Sequence, residues 1–433
     1  MDAINQFPFK FQGLMNSEKL KLYCWADAPT ASTGFGVVTK NVLRELYKTG
    51  KFDINILAVN YYGDKYDPKE FPYQIVPAKL LEPNDPFGSK MFLRAVERED
   101  YDIIWILNDI FVVEGVVTHL KKILEQKRIQ NKKIPKIIYY YPVDCTVLPE
   151  CVGMIELADA TVCITEFGKK ETLAALKEKR QIDVIHHGCD RTVFRPIDKK
   201  LRQAWRQKYL GIANPNTFLF INVNRNSVRK DIARCIYSFA KFRLLHPDSK
   251  IYIHCAPKDM TINLFAAVKA VGLTINDIVF PANFNLAEGG LDEESLVNFY
   301  GCADAYITTT LGEGWGLTIT EAMACGLPVI APNNTSLPEI IGSDRDRGYL
   351  YECRDIAWVD NSGYRKMGRV EDIVGKMEEV YKARGSLSQH AVINRAYSFI
   401  NSHSWEAISK QWLTIFERIV NQKPQERIVA TEV

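Results

Sequence analysis

The residues best suited to chemistry lie in one short stretch, where two glutamates flank a glycine-rich turn. Residues 301–332 read GCADAYITTTLGEGWGLTITEAMACGLPVIAP, and glycines 312, 314 and 316 follow an apolar run that is typical of a buried strand. A helical pattern begins at Leu317 and stops at Gly326, before a second apolar run. The stretch therefore predicts a strand, a glycine turn, a helix and a strand, as in parallel α/β sheets.

The turn has a chemical use because a helix N-terminus offers N–H groups that have no intrahelical acceptor. Those of Gly316, Leu317 and Thr318 are predicted to bind a phosphate group. Glu313 precedes them in the turn, and Glu321 follows within the helix. The same two glutamates also suit a solvated turn and an ordinary helix, since acidic side chains favour the first helical turn.

The segment EGWGLTITEAMACGLPVIA, which begins at Glu313, resembles the E-x7-E block of retaining GT-B glycosyltransferases, in particular glycosyltransferase family 4. Trp315 in place of phenylalanine is the departure, and the resemblance spans most of residues 20–420. It implies transfer of a sugar from a nucleoside diphosphate sugar with retention at the anomeric carbon. It also assigns the transferred sugar to Glu313, the ribose hydroxyls to Glu321 and the diphosphate to the backbone of residues 316–318.

A strand-like segment earlier in the chain, Thr217 to Asn224, is followed by two cations. Arg225 comes directly after it, and Lys230 lies five residues later. Any surface helix can carry such a pair, but in the resembling family an Arg and a Lys at this place clamp the diphosphate. A planar guanidinium and an ammonium group suit a diphosphate leaving group. Arg225 and Lys230 are therefore predicted to bind the donor and to act in catalysis, with Arg229 the neighbour most easily confused with Lys230.

The resemblance assigns four further positions. Gly34 and Gly36 follow the first predicted strand and are expected to face the donor across the cleft, although they also suit a plain strand-to-helix turn. Asp144 ends a predicted strand where many relatives carry a cleft histidine, so it is either a catalytic residue that orients a hydroxyl or a structural loop residue. Asn283 lies in a loop that in relatives touches the nucleobase through backbone groups.

His186 and His187 precede a Gly-Cys-Asp segment that resembles the N-G-V-D segment of the family. A catalytic histidine pair is one interpretation. A hinge at the end of the first domain is the other, and it is the one favoured.

Composition bounds the class of protein. The chain has 433 residues, of which 47% are hydrophobic and 25% charged, which predicts a soluble protein of two domains. The net charge of +3 demands no acidic partner. Ten scattered cysteines form no C-x-x-C pair, which argues against a zinc site and favours reduced thiols in the cytoplasm. No signal peptide or transmembrane stretch is evident, and residues 197–210 are the closest candidate for a basic helix on a membrane.

The elements that position these residues are predicted to form an α/β protein of the GT-B architecture, with two Rossmann-like domains facing a central cleft. Residues 1–197 form the acceptor-side domain and residues 198–403 the nucleotide-sugar-binding domain. Residues 404–422 form a helix that crosses back to the first domain, and residues 423–433 form a tail. Residues 353–368 are expected to be irregular.

The function implied by the resemblance is that of a glycosyltransferase, and more narrowly a hexosyltransferase, acting on a UDP- or GDP-linked donor. The acceptor is an unidentified hydroxyl of a glycan, a lipid or a small molecule, and no cofactor or metal is expected. Transfer to a modified nucleic-acid base, as in phage DNA, is an alternative acceptor. A GT-B sugar-nucleotide epimerase and a non-catalytic nucleotide-sugar sensor are alternative functions. The oligomeric state does not follow from the sequence.

Overall fold

The computed structural model describes residues 19–79, 84–258, 262–281, 291, 293–344, 346–360 and 363–422. The predicted nucleobase contact at Asn283 and the predicted tail at 423–433 lie outside these residues.

The first half of the described chain builds a parallel sheet. Its strands are β1 (Leu20–Asp27), β2 (Phe52–Val59), β3 (Gln74–Pro77), β4 (Ile103–Leu107), β5 (Lys136–Tyr141), β6 (Ala160–Cys163) and β7 (Asp183–Val184). Its helices are α1 (Gly34–Lys48), α2 (Ser89–Arg98), α3 (Ile110–Ile129), α4 (Gly153–Leu157) and α5 (Glu166–Ala175), with a 3₁₀ turn at Pro149–Cys151. The strand order is β3-β2-β1-β4-β5-β6-β7. All five residues of β4 are buried, which explains its continuous apolar run, since helices cover both faces of such a sheet.

The second half of the described chain builds another parallel sheet. Its strands are β8 (Leu219–Val223), β9 (Lys250–His254), β10 (Ile278–Val279), β11 (Ala305–Ile307), β12 (Val329–Pro332) and β13 (Tyr349–Tyr351). Its helices are α6 (Lys199–Leu210), α7 (Ile232–Leu245), α8 (Leu264–Ala270), α9 (Glu293–Cys302), α10 (Leu317–Ala324), α11 (Leu337–Ile341), α12 (Val370–Lys382) and α13 (Leu387–Ser402), with a 3₁₀ turn at Val228–Lys230. The strand order is β10-β9-β8-β11-β12-β13.

Both strand orders reverse direction at one place, between β1 and β4 in the first sheet and between β8 and β11 in the second. Ligands of open α/β sheets bind in the crevice beyond the carboxyl ends of the strands at such a switch point. The loops after these four strands carry Gly34, Asp109, Lys230 and the glycine turn, so the topology gathers the predicted site. The α/β class with two Rossmann-like sheets is confirmed, and the domain boundary at residues 197 and 198 stays a prediction.

The last helix, α14 (Trp405–Asn421), packs on the first sheet and α1. The Trp412 ring meets those of Trp105 and Tyr140 edge-on, with centroids 5.8 and 4.7 Å apart. Arg418 pairs with Asp183 of β7. The predicted return of this helix to the first half of the chain is confirmed, and buried aromatic packing is its main cause.

Helix α6 does not behave as a solvated basic helix. Arg206 is 1% exposed and donates to Asp304 Oδ2 at 2.6 Å, while Arg202 donates to Asp304 Oδ1 at 2.7 Å. Asp304 also accepts from Leu219 N at the start of β8. Buried pairing therefore fixes α6 to the second sheet, and two of its cations are turned inward rather than toward a membrane.

The prediction that residues 353–368 are irregular is wrong. They form an antiparallel hairpin of β14 (Cys353–Asp360) and β15 (Gly363–Gly368). The reason is visible in the sequence, since Ile356, Trp358 and Tyr364 have high strand propensity and an Asp-Asn-Ser-Gly segment separates the two runs.

None of the helices in the described part of the chain combines the length and apolar character needed to cross a bilayer.

Candidate active site

Loops after β5, β8 and β11 meet at the carboxyl ends of their strands. The loop after β11 is the glycine turn, residues 311–316, and it touches the loop after β5. A Cβ on Gly312 would lie 2.1 Å from Asp144 O, and a Cβ on Gly314 would lie 2.6 Å from Pro142 Cβ. Glycine at these two positions therefore lets the second half of the chain make backbone contact with the first.

Helix α10 begins at the end of this turn. Gly316 has φ +116°, a conformation that residues with a side chain rarely adopt, and its carbonyl accepts from the N–H groups of Ile319 and Thr320. The N–H groups of Leu317 and Thr318 precede that hydrogen-bond ladder, so helix geometry gives them no intrahelical acceptor. The predicted phosphate site at this helix N-terminus has the backbone shape it requires.

Residues after β12 brace the turn. Ser336 is fully buried, and its hydroxyl donates to Glu313 O at 2.8 Å and to Trp315 O at 3.0 Å. The Glu313 N–H donates to Thr335 Oγ1 at 3.0 Å. These bonds hold the backbone of the turn in one shape without using the side chains of residues 311–316.

Glu313 lies between two cations. Lys230 Nζ donates to its Oε1 at 2.5 Å, and Arg229 Nη1 donates to its Oε2 at 3.2 Å. Burial by itself would raise the pKa of Glu313, but Lys230 and Arg229 outweigh burial and lower the pKa to about 2. Glu313 is therefore a fixed negative charge at neutral pH.

Asp144 comes from the first half of the chain and is gripped by two arginines of the second. Arg365, on β15, donates to Asp144 O at 2.7 Å and to Asp144 Oδ1 at 3.1 Å. Arg229 Nε lies 3.2 Å from Asp144 Oδ2. Arg229 thus joins Asp144 to Glu313, and the two predicted catalytic carboxylates belong to one charged cluster.

Asp109 follows β4 and lies near this cluster. Burial raises its pKa to about 7, the negative charge of Asp144 adds to the rise, and Arg229 opposes it. A carboxyl group with a pKa near neutrality can accept or release a proton under ordinary conditions, which makes Asp109 a candidate for acid–base chemistry.

Glu321 lies in a different environment from Glu313. Tyr300 Oη donates to its Oε2 at 2.9 Å, and burial raises its pKa to about 7 despite that bond. It lines a cavity of about 190 Å³ between α1, α10 and the segment around Gly188. The carboxyl group therefore faces the space between the two halves, where the predicted ribose contact would lie.

Comparison with known proteins matches the same region. The family described as "Glycosyl transferases group 1" matches residues 286–360, which contain both glutamates. An O-antigen chain mannosyltransferase B of Escherichia coli is 40% identical over 68 residues, which are 16% of this chain and 17% of that protein. An N-acetyl-alpha-D-glucosaminyl L-malate synthase of Bacillus anthracis is 22% identical over 414 residues, 91% of this chain and 96% of that protein.

The fold matches as well. The crystal structure of Anabaena HepE in complex with UDP and glucose aligns with a TM-score of 0.67 at 14% identity, covering 92% of this chain and 100% of that one. The chain has the GT-B fold and carries a group 1 glycosyltransferase domain. Glycosyltransferases are a class of enzymes, and the family match covers the turn and helix that carry Glu313 and Glu321.

In this glycosyltransferase the two glycines after β1 have different surroundings. Gly34 is exposed, and a Cβ on it would lie 3.4 Å from Leu317 Cδ1 at the start of α10. Gly36 is buried, its N–H donates to Thr33 Oγ1, and a Cβ there would lie 2.2 Å from Ala31 O. Gly34 thus faces the predicted diphosphate site across the cleft, whereas packing within its own loop accounts for Gly36.

The two predicted cations of the glycosyltransferase also differ. Lys230 contacts Glu313 directly, while Arg225 is exposed at the end of β8. Arg229, which the sequence offered only as a neighbour of Lys230, holds the inner position between Glu313 and Asp144. A 3₁₀ turn at Val228–Lys230 aims both residues inward, and residue type and spacing do not reveal such a turn.

The two histidines form part of the connection between the halves of the glycosyltransferase. His187 is buried, and burial together with His186 lowers its pKa to about 3. The His186 ring lies 4.6 Å from that of Trp315, and its Nε2 lies 3.4 Å from Glu339 Oε2. Burial keeps His187 neutral and packed near the start of α14, and the hinge stays a prediction.

Arg365 was not singled out from sequence, whereas Asp109 was. Arg365 lies in the hairpin that was expected to be irregular, so recognising the two strand-like runs would have been the first signal. Asp109 follows β4, and the sequence predicts that polar Asn108 and Asp109 at this strand end line a crevice on the acceptor side. Its raised pKa comes first from burial and then from the charge of Asp144, a neighbour from another loop, and neither can be read from sequence.

Proposed function

We propose that this glycosyltransferase is a retaining enzyme of the family 4 type, which transfers a hexose from a UDP- or GDP-linked donor to an acceptor hydroxyl. The observation that carries the proposal is the cluster at the start of α10, where Lys230 and Arg229 face Glu313 beside a helix N-terminus. The arrangement offers positive charge to a diphosphate and a carboxylate to a sugar, side by side.

The donor side of the proposed reaction follows from these charges. The diphosphate takes the N–H groups of Leu317 and Thr318 and the ammonium group of Lys230, and Glu321 accepts from the ribose hydroxyls. Negative charge grows on the diphosphate as its bond to the sugar breaks. Groups held in place before the reaction stabilise that charge most, because they need no reorganisation.

The sugar side uses the carboxylates. Glu313 accepts hydrogen bonds from the transferred sugar, and its two cations keep it ionised and fixed. Asp144 lies at the boundary between the two halves, where an acceptor hydroxyl meets the sugar. Burial and the nearby negative charge of Asp144 raise the pKa of Asp109. We assign acceptor positioning to Asp144 and proton acceptance from the acceptor hydroxyl to Asp109.

The proposed hexosyl donor has separate support. Anabaena HepE, whose fold this chain shares, was crystallised with UDP and glucose. The E. coli relative is named as a mannosyltransferase. A hexosyl donor is consistent with both names.

A donor screen tests the proposal. The protein is incubated with UDP- and GDP-linked hexoses, with and without candidate acceptor alcohols, and release of UDP or GDP is measured. We expect release from one nucleotide class, faster with an acceptor than with water, and an unchanged anomeric configuration in the product by NMR. Absence of release from every donor, with normal nucleotide binding, would support a sensor, and an epimerised donor would support an epimerase.

A further inference from the structure

The hairpin of β14 and β15 has two unlike faces. Exposed residues alternate with less exposed ones along both strands. Trp358 pairs with Tyr364 in the register, and Ile356 pairs with Lys366. We name the exposed set the outer face; it consists of Arg354, Ile356, Trp358, Tyr364 and Lys366.

The opposite face of the hairpin is already in use. Arg365 is 4% exposed and binds Asp144 in the site, and Met367 lies against Arg234 of α7. Strand β14 also packs against the 3₁₀ turn at Val228–Lys230. These contacts fix the hairpin at the rim of the active site, and they leave the outer face exposed.

The outer face is apolar at its centre. Ile356, Trp358 and Tyr364 are 66%, 61% and 65% exposed, and the two rings meet edge-on with centroids 5.1 Å apart. All seven tryptophans lie within the described residues, and among them only Trp358 has a largely exposed side chain. Exposed apolar side chains gathered in one place mark interaction surfaces.

The outer face is also positively charged. Arg354 and Lys366 add two cations, and no carboxylate lies among its five residues. Asp355, the nearest acid described in β14, is neutralised by Arg369, whose Nε and Nη2 donate to it at 3.0 and 2.9 Å. The face therefore complements an anionic partner.

We propose that the outer face docks on the surface of an anionic phospholipid bilayer. Tryptophan and tyrosine favour the boundary between acyl chains and headgroups, and lysine and arginine are attracted to anionic headgroups. A sugar stacked on the two rings would gain nothing from Ile356 or from the two cations, whereas a bilayer uses all five side chains. One small face gives reversible binding.

Docking in this way places the cleft next to the membrane. The hairpin that carries the outer face also binds Asp144 through Arg365. The acceptor side of the site therefore lies at the rim nearest the bilayer. The proposal goes beyond the proposed function and does not depend on it, because vesicle binding is measured without donor or acceptor.

Vesicle binding with a fluorescence readout tests the proposal. The full chain is mixed with vesicles of phosphatidylcholine, with or without phosphatidylglycerol, and the lipids carry brominated acyl chains in a parallel set. We expect sedimentation with the anionic vesicles only, weaker at high salt. Brominated lipid should quench part of the tryptophan emission, and Trp358→Phe should remove that quenching.

Matched variants make the test specific. Trp358→Ser combined with Tyr364→Ser should weaken vesicle binding at least tenfold, and Arg354→Ser combined with Lys366→Ser should remove most of its salt dependence. Leu387→Ser, at a position that is 90% exposed on α13, and Lys122→Ser, on the exposed side of α3, should leave binding unchanged. Circular dichroism confirms that each variant is folded.

Three results would overturn the proposal. They are no binding by the unaltered protein, equal binding to neutral vesicles, and binding that the double aromatic variant retains. A change in the sedimentation coefficient of that variant, without vesicle binding by the unaltered protein, would instead assign the outer face to contact between two copies of the chain.

Discussion

At the scale of single residues, two glutamates eight positions apart have opposite properties. The pKa of Glu313 is lowered to about 2 by Lys230 and Arg229, which outweigh its burial, whereas burial raises that of Glu321 to about 7. Groups whose pKa values are driven apart in this way take different roles. Glu313 stays ionised and is therefore suited to accept hydrogen bonds from a sugar. Glu321 lies among fewer charged groups and is suited to bind the hydroxyl groups of a ligand.

Lys230→Ala tests the leaving-group role. We expect transfer to lose about 2–4 kcal/mol of transition-state stabilisation, because the variant removes a buried charged donor beside the diphosphate. Arg229 still pairs with Glu313, so the variant should fold. The measurement is kcat/KM for nucleotide release, with Lys122→Ala on exposed α3 as the control. Near-normal turnover in a folded Lys230→Ala protein contradicts the assignment.

The pH dependence of turnover tests Asp109. With its folded pKa raised to about 7, this carboxyl gains a proton as the pH falls through 7 and can no longer accept one from the acceptor hydroxyl. We therefore expect kcat to rise with pH between about 6 and 8. The profile is measured at saturating donor, because bound ribose then occupies Glu321 and the titration of this second carboxyl group does not affect kcat.

Asp109→Asn should give a lower kcat that is flat across the same pH range. A variant that keeps the full inflection would show that another group titrates, and the acid–base role of Asp109 would then be wrong.

At the scale of elements, the glycine turn and α10 place most of the site. Gly312 and Gly314 allow contact with the first half, Gly316 starts the helix, and buried Ser336 supports the turn from the next loop. The 3₁₀ turn at Val228–Lys230 and the hairpin bring the cations to it. Each element contributes through backbone shape as much as through side chains.

Gly316→Ala tests the backbone of that turn. A residue with a Cβ is strained at φ +116°, so we expect about 1–3 kcal/mol of lost stability and a UDP affinity at least tenfold weaker. Gly375→Ala, on the exposed side of α12 with no atom within 4 Å of the added Cβ, is the control. It should gain about 0.5–1 kcal/mol and bind UDP normally. Thermal unfolding and calorimetry measure both, and unchanged UDP affinity in Gly316→Ala would count against the helix terminus.

The sequence predicted the parallel strands, the glycine turn and the crossing helix because each rests on a local pattern or a motif. Lys230 and Glu313 were predicted as site residues for the same reason, and the structure brings them into contact. Arg229, Arg365 and the pairing at Asp144 were not, because they depend on which loops meet in space. The hairpin was missed although its residues carry a strand signal, since the short alternating runs were not recognised.

At the scale of the whole molecule, α14 and the segment from His186 to Cys189 connect the two halves. Cys189 N donates to His403 O at 2.8 Å, and a Cβ on Gly188 would lie 2.8 Å from the backbone of Trp405. Phe416 and Trp412 then pack on the first sheet and its neighbours. The chain therefore passes between the two sheets twice, first after the segment from His186 to Cys189 and again before α14. Contacts at the active site join the two sheets as well.

Trp412→Ala tests that connection. The side chain is 1% exposed, so its loss should lower stability by about 3–5 kcal/mol. Leu387→Ala, at a position that is 90% exposed, should change stability by less than about 0.5 kcal/mol. Urea unfolding followed by circular dichroism measures both, and equal midpoints for the two variants would show that α14 adds little to the fold.

The central claim is that a nucleoside diphosphate lies at the start of α10, and a crystal structure with bound UDP tests it most directly. The account predicts diphosphate oxygens within about 3 Å of the N–H groups of Leu317 and Thr318 and of Lys230 Nζ, with the ribose against Glu321. UDP bound elsewhere, with Lys230 and Glu321 away from it, would contradict the account.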